Sequence, residues 1–187
     1  MMIADYDPAG PMTLAEIAVE RHHAGHNAWE LGMLLDIVAK TVKPKLILEI
    51  GSDRGGSLYA WASIGAQVVA VTLAETKDFL EDGHTYGAQM IYGNSHDDDM
   101  PARILEVLGG RTPDMAFIDG DHTEAGCAAD LDMCISLGIP VIAIHDICSI
   151  PAVALVWSRA RKNWPHVLIE RVRRDPIAPG AGILWLT

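Results

Sequence analysis

Two short segments concentrate the ionisable side chains that could do chemistry: Ile118-Asp-Gly-Asp-His-Thr-Glu124 and Ile144-His-Asp-Ile147. Each follows an apolar run, Met115-Ala-Phe-Ile118 and Val141-Ile-Ala-Ile144. If these runs are adjacent parallel strands, Asp119, Asp121, His122, His145 and Asp146 converge at one end of a sheet. Ionisable groups closing an apolar strand are costly unless they share water, a metal or a substrate. Carboxylates from Asp119 and Asp146 suit a hard cation such as Mg²⁺, which keeps several waters and binds substrate oxygens. A histidine can take a hydroxyl proton near neutral pH, and a divalent ion on that oxygen would lower its pKa. The plainer reading is a helix-capping network with Asp121 or Thr123 as N-cap.

A third segment, Glu49-Ile-Gly-Ser-Asp-Arg-Gly-Gly56, follows the apolar run Leu46-Ile-Leu48. Gly51 permits a sharp turn, and Gly55-Gly56 permits close approach of the backbone to a ligand. Ser57 then starts a helix whose first N–H groups are free to bind one. The dinucleotide pattern would place Asp53 where its second glycine belongs, so a pyrophosphate would meet a carboxylate. That weakens a dinucleotide reading, and a tight strand-to-helix turn without ligand is the plain alternative.

These groups need elements to hold them. Thr13 with Glu16 forms a capping-box pair opening a helical N-terminal region, interrupted near Gly25 and stopped by Pro44. From Lys45 onward, short apolar runs alternate with amphipathic segments. Strands are expected at 46–50, 67–73, 90–92, 115–118 and 141–144, with helices near 57–64, 100–108, 124–137 and 152–162. Two further strands, 167–172 and 182–186, are joined by a Pro/Gly loop from Asp175 to Ala181, too short for a crossover helix. The alternation predicts an α/β, Rossmann-like doubly wound sheet, mostly parallel with one antiparallel C-terminal strand and helices on both faces. The expected organisation is a single domain over 1–187, with a helical cap at 1–44 and the Rossmann-like core at 45–187. Ligands in such sheets sit beyond the carboxyl ends of the strands, where all three segments fall.

Composition narrows the partners. The chain has 187 residues and a formal charge of −11, which argues against nucleic acid as a partner because phosphate binding needs clustered Lys and Arg. The basic residues Arg159, Arg161, Lys162, Arg171, Arg173 and Arg174 read as a solvated surface. Cys127, Cys134 and Cys148 make neither a disulfide framework nor a paired metal spacing, so reduced thiols in a cytoplasmic protein are expected. No stretch has the ~18 apolar residues of a membrane span, and the N-terminus lacks signal-peptide features. Oligomeric state is open, with Trp157, Trp164 and Trp185 offering a contact surface for a homo-oligomer.

Leu48-Glu-Ile-Gly-Ser-Asp-Arg-Gly-Gly-Ser-Leu58 resembles motif I of class I S-adenosylmethionine (SAM)-dependent methyltransferases. Its double glycine followed by Ser-Leu is similar to the subgroup of cephalosporin-hydroxylase-like proteins and metal-dependent sugar or natural-product O-methyltransferases. The resemblance implies SAM as cofactor, bound by Glu49, Gly51, Ser52, Gly55, Gly56 and Ser57. The acidic residue that would hold the ribose hydroxyls is replaced by Thr72, which offers one hydroxyl, with Glu75 as substitute. Tyr92-Gly-Asn-Ser-His-Asp97 resembles the segment near the adenine, placing Asn94 and Ser95 there, with Asn94 where Asp is usual. Phe117-Ile-Asp-Gly-Asp-His, then Asp130, then His145-Asp146 matches the same subgroup. There Asp119 serves cofactor and metal, His145 and Asp146 complete the metal position for Mg²⁺, and His122 is the general base. His145 stands where an acidic residue is common.

The expected activity is methyl transfer to a hydroxyl of a small acceptor, a sugar or natural product. Its pocket would be built by the N-terminal helices and the loops Thr76 to Tyr86 and Ser149 to Val153. The competing readings are a catalytically silent binding or scaffold protein, motivated by Thr72, Asn94 and His145, and a nucleotide-dependent enzyme. His22 and His26, four apart with His23 between them, would share a helix face toward the cleft and line the acceptor pocket, a surface position being the plainer reading. His96-Asp-Asp98 matches half of an iron-oxygenase triad, but that triad belongs on a β-barrel.

Overall fold

A computed structural model describes residues 13–22, 24–73, 85–169 and 179–186. The expectations for Glu75, His23, Arg171, Arg173 and Arg174, and most of the Thr76-to-Tyr86 loop, lie outside them. The helices are α1 (Leu14–His22), α2 (Ala28–Ile37), α3 (Gly56–Ser63), α4 (Met100–Leu108), α5 (Glu124–Ser136) and α6 (Pro151–Ala160). The strands are β1 (Leu46–Ile50), β2 (Gln67–Thr72), β3 (Gln89–Tyr92), β4 (Met115–Ile118), β5 (Val141–Ile144), β6 (His166–Ile169) and β7 (Ala181–Trp185).

The seven strands form one sheet in the order β3-β2-β1-β4-β5-β7-β6. β1 to β5 are parallel, and β7 runs antiparallel to both β5 and β6. One reversed strand agrees with the sequence expectation of a connection too short for a crossover helix. Because helices cover both faces, the central strands β1, β4 and β5 are buried at every position, which is why they read as continuous apolar runs. Alternate strand residues feed two cores. Ile47, Ala70 and Phe117 pack with α1, α2 and α3, while Leu48, Val69 and Ile118 pack with α4, α5 and α6.

Local chemistry explains the N-terminal boundaries. The Thr13 N–H donates to Glu16 Oε2 at 2.6 Å, and the Glu16 N–H donates to Thr13 Oγ1 at 3.2 Å, closing the capping box. α2 has its own cap, Asn27, whose Oδ1 accepts from the Trp29 N–H. α2 continues into a π-helical turn, Val38–Val42, which Lys43 ends with φ 53°. The break between α1 and α2 separates two histidines, His22 and His26, that helical spacing places on one face. His22 ends α1 and stacks on Tyr59, with its Nδ1 2.6 Å from the Tyr86 hydroxyl, whereas His26 lies in the turn beyond and faces the sheet end.

Among the tryptophans proposed as a contact surface, Trp157 is 4% exposed. It lies so close to β7 that a Cβ on Gly182 would fall 2.4 Å from its ring. Trp157 is therefore a core residue, a position that apolar spacing on a helix does not separate from a surface one. Cys127 and Cys134 are buried, and burial pushes both thiols up, Cys127 to about 12. Cys148 is exposed, and no described helix is long and apolar enough to cross a membrane.

Candidate active site

Parallel register brings the three chemistry-bearing segments side by side. The ladder continues one residue past the strands: the Gly51 N–H donates to the Val71 carbonyl, Asp119 to Ile50 and His145 to Ile118. Gly51, Asp119 and His145 thus stand in a row at the carboxyl ends of β1, β4 and β5. Gly51 has φ 86°, and a Cβ there would sit 2.3 Å from the Asp119 carbonyl oxygen. Gly56 opens α3, where a Cβ would meet the Ala24 backbone nitrogen at 2.2 Å. Both glycines are required by close packing of the protein on itself, which keeps the turn low enough to leave room above it.

Glu49 lies beneath this turn, fully buried. Its Oε1 accepts from Ser57 Oγ at 2.6 Å and its Oε2 from Trp61 Nε1 at 2.7 Å. Burial raises its carboxyl to about 8 in spite of these donors. Glu49 thus anchors the start of α3 from below and does not line the cleft. Gly51, Ser52, Gly56 and Ser57 do line it, with Asp53 and Arg54. Gly55 is the N-cap of α3, with φ 81°.

Two cavities meet over Gly51, Asp119 and His122. One, of about 310 Å³, is bounded by the glycine turn, by His26, and by Asp119, His122, His145 and Asp146. The other, of about 500 Å³, runs along the ends of β2 and β3 and is lined by Thr72, Asn94, Ser95 and Asp121. Thr72, Asn94 and Ser95 are therefore brought together with the turn. Asn94 Oδ1 accepts from the His96 N–H at 3.0 Å. His96 Nε2 lies 3.2 Å from Asp130 Oδ1, so this histidine holds a loop rather than part of an iron site. Burial raises the Asp130 carboxyl.

The histidine and carboxylate cluster forms the floor where the cavities join. His145 is its hub: Nδ1 lies 3.0 Å from Asp119 Oδ1 and 3.5 Å from Asp146 Oδ2, and Nε2 lies 3.2 Å from Glu30 Oε1. Burial favours its neutral form, but the neighbouring carboxylates of Asp119, Asp146 and Glu30 prevail and push it up to about 12. Burial opposes ionisation of Asp119 too, yet His122 and His145 hold its carboxyl well below the usual range. Asp146 is likewise lowered against burial by His145 and Ser149, with its backbone held at φ 58°. Such a left-handed aspartate is uncommon and occurs where surrounding structure imposes it.

His122 is half exposed, its Nε2 3.3 Å from Asp146 and 3.5 Å from Asp119. The hydrogen bond to Asp119 raises its pKa despite partial burial. His26 behaves oppositely: burial, then the neighbouring His145, lowers it to about 4. The helix-capping alternative for this region holds only for its edge. Thr123 Oγ1 caps α5 by accepting from the Gly126 N–H, and Asp121 accepts from the Thr123 N–H, leaving Asp119, His122, His145 and Asp146 outside that network.

Glu30 and His26 were not singled out as cluster members by the sequence reading. Glu30 Oε2 accepts from the Gly180 N–H at 3.0 Å, which ties α2 to the start of β7. The sequence carries only their spacing, a glutamate four residues after His26, and the burial of Glu30 is seen in the structure.

Donor atoms of Asp119, His122 and Asp146 lie within 4.8 Å of one another, as do those of His26, Asp119 and His145. Two ionised carboxylates among imidazoles fit a divalent cation. The cleft above the turn, with the N-terminus of α3 at one end, fits an elongated polar cofactor.

Solved structures share this architecture. An O-methyltransferase from Bacillus cereus in complex with SAH matches with TM-score 0.67 at 13% identity, covering 96% of this chain and 93% of that one. TomG from Streptomyces achromogenes, an O-methyltransferase involved in tomaymycin synthesis and solved with SAM, matches with TM-score 0.63 at 16% identity, over 100% and 92%. MycE from the mycinamycin biosynthetic pathway, solved with Mg and SAH, matches with TM-score 0.64 at 17% identity, over 92% and 54%. The fold is that of the class I methyltransferases. In sequence, the ribosomal RNA large subunit methyltransferase E of Granulibacter bethesdensis is 30% identical over 118 residues, which is 63% of this chain. The chain spans about half the length of that curated relative, 48%. No protein-family model matches.

Proposed function

We propose that the chain transfers the methyl group of SAM to a hydroxyl of a small acceptor, assisted by a divalent cation at Asp119. The observation that carries this is the meeting of the two cavities over Gly51, Asp119 and His122. A cofactor lying along the glycine turn would there present its reactive end to the histidine and carboxylate cluster.

Ser52, Ser57 and the first N–H groups of α3 hold the amino-acid end of SAM, and Glu49 fixes Ser57 from below. Thr72 faces the ribose, and Asn94 and Ser95 face the adenine. Asp119 and Asp146 hold the cation with His145. When bound, that ion lowers the pKa of the acceptor hydroxyl and orients it. His122 takes the hydroxyl proton as the O–C bond forms and the S–C bond breaks. Its imidazolium is then stabilised by Asp119 and Asp146, the same contacts that raise its pKa.

The curated relative is named for ribosomal RNA, but a formal charge of −11 supports a small acceptor over a polyanion. Calorimetric titration with SAM tests the reading. Binding at micromolar to millimolar SAM is expected, with turnover on a panel of hydroxylated acceptors that drops by about 10²–10⁴ in His122→Ala. Absence of SAM binding at millimolar concentration overturns it.

A further inference from the structure

The cation position has more imidazole around it than a magnesium site uses. His26, from the turn between α1 and α2, and His145, after β5, each bring a ring nitrogen to Asp119, with the three donor atoms within 4.8 Å of one another. His26 is 9% exposed and lines the cleft, and neither of its ring nitrogens makes a hydrogen bond within the described residues. Its Nε2 lies 3.4 Å from Asp119 Oδ2, and its ring centroid lies 4.3 Å from that of His145. Phe117 packs at 5.6 Å centroid distance and backs the ring from the core side. Leaving a buried polar group unpaired costs about 1–3 kcal/mol, so such a group in a cleft calls for a ligand.

Donor chemistry says which ligand. Mg²⁺ takes oxygen donors and gives up its waters reluctantly. Imidazole suits transition ions, and affinity for nitrogen-bearing sites rises along the first-row series from Mn²⁺ towards Cu²⁺ and Zn²⁺. Two imidazoles and the Asp119 carboxylate, with Asp146 alongside and the cleft open above, make a set of that kind.

We propose that His26, with Asp119 and His145, binds a divalent transition-metal ion of the Mn²⁺-to-Zn²⁺ series in preference to Mg²⁺. This deepens the cation part of the methyltransferase reading, and ion binding is measured without turnover. The chelator-stripped full chain is titrated calorimetrically with Mg²⁺, Mn²⁺, Co²⁺ and Zn²⁺, and the Co²⁺ form is examined by visible absorption. Co²⁺ and Zn²⁺ are expected to bind at least about tenfold more tightly than Mg²⁺. His26→Ala should weaken Co²⁺ binding by about tenfold or more and shift its absorption bands. His26→Gln, checked by circular dichroism, serves as the second variant if the alanine protein does not fold. Equal or tighter Mg²⁺ binding, no binding of any ion, or wild-type Co²⁺ affinity and spectrum in a folded His26 variant overturns the inference. A SAM titration of the same stripped protein keeps the readings apart. SAM binding without the metal preference overturns only this inference, and the metal preference without SAM binding overturns only the methyltransferase reading.

Discussion

At the residue scale, Glu49 shows how a side chain placed in a cofactor motif can serve the fold. Its carboxyl is buried among apolar strands, and burial raises it from 4.5 to about 8. The folded chain therefore holds a proton between those values that the unfolded chain releases. The resulting stabilisation is fully present below pH 4.5 and is lost as pH rises through about 8. Glu49→Gln removes the titration while keeping an acceptor for Trp61 Nε1 and a donor for Ser57 Oγ. The variant is expected to gain stability relative to wild type as pH rises from about 5 to about 9. Urea unfolding at both pH values checks this, and an unchanged difference between the two proteins would refute it. Asp119, His122, His145 and Asp146 were legible because each follows an apolar strand, and strand ends in a doubly wound sheet converge. His26 and Glu30 were not, because their place depends on where two helices dock rather than on strand order. The glycines were legible as necessary, but the reason is the Asp119 carbonyl and the Ala24 backbone pressing on them, which only the packed structure shows.

At the scale of elements, the turn between α1 and α2 and the start of α3 are one mechanical unit. Ala24 of the turn lies against Gly56 of α3, so the position of His26 is coupled to the glycine turn. Gly56→Ala forces a Cβ onto backbone at 2.2 Å, which side-chain rotation cannot relieve. A loss of about 1–3 kcal/mol is expected, together with weaker SAM binding as α3 moves off the turn. Gly25→Ala is the matched control. Nothing lies within 4 Å of its added methyl, so stability should stay within about 0.5 kcal/mol. Thermal melts of both variants decide the matter, and a Gly56→Ala protein as stable as Gly25→Ala would disprove the coupling. Helix starts marked by Thr13 and by the turn before Ser57 were readable because capping residues and glycines are local signals. The π-helical turn at Val38–Val42 was not, because it answers to packing of α2 and carries no residue signature of its own.

For the whole molecule, the sheet order predicts a gradient of stability. β1 and β4 are central and wholly buried, whereas β3 and β6 are edges with half of their residues exposed. Amide hydrogen exchange should therefore proceed first in 89–92 and 166–169 and last in 46–50 and 115–118. Equal protection across these four strands would contradict the topology. The parallel order was inferable from alternation of strand and helix, and the single reversed strand from a loop too short to cross over. The pairing of β7 between β5 and β6 was not, since a hairpin alone does not tell which of its strands enters the sheet.

That insertion has a consequence in time. During synthesis, β5 leaves the ribosome before β7, and its open edge has no neighbour until β7 arrives. Immediately before that strand lies Gly180, whose N–H secures Glu30 of α2 across 150 positions of chain. Glu30 in turn faces His145. A nascent chain that has already made every residue of the cluster thus still lacks the strand that braces it. The bracing of the cluster is completed only when β7 pairs between β5 and β6.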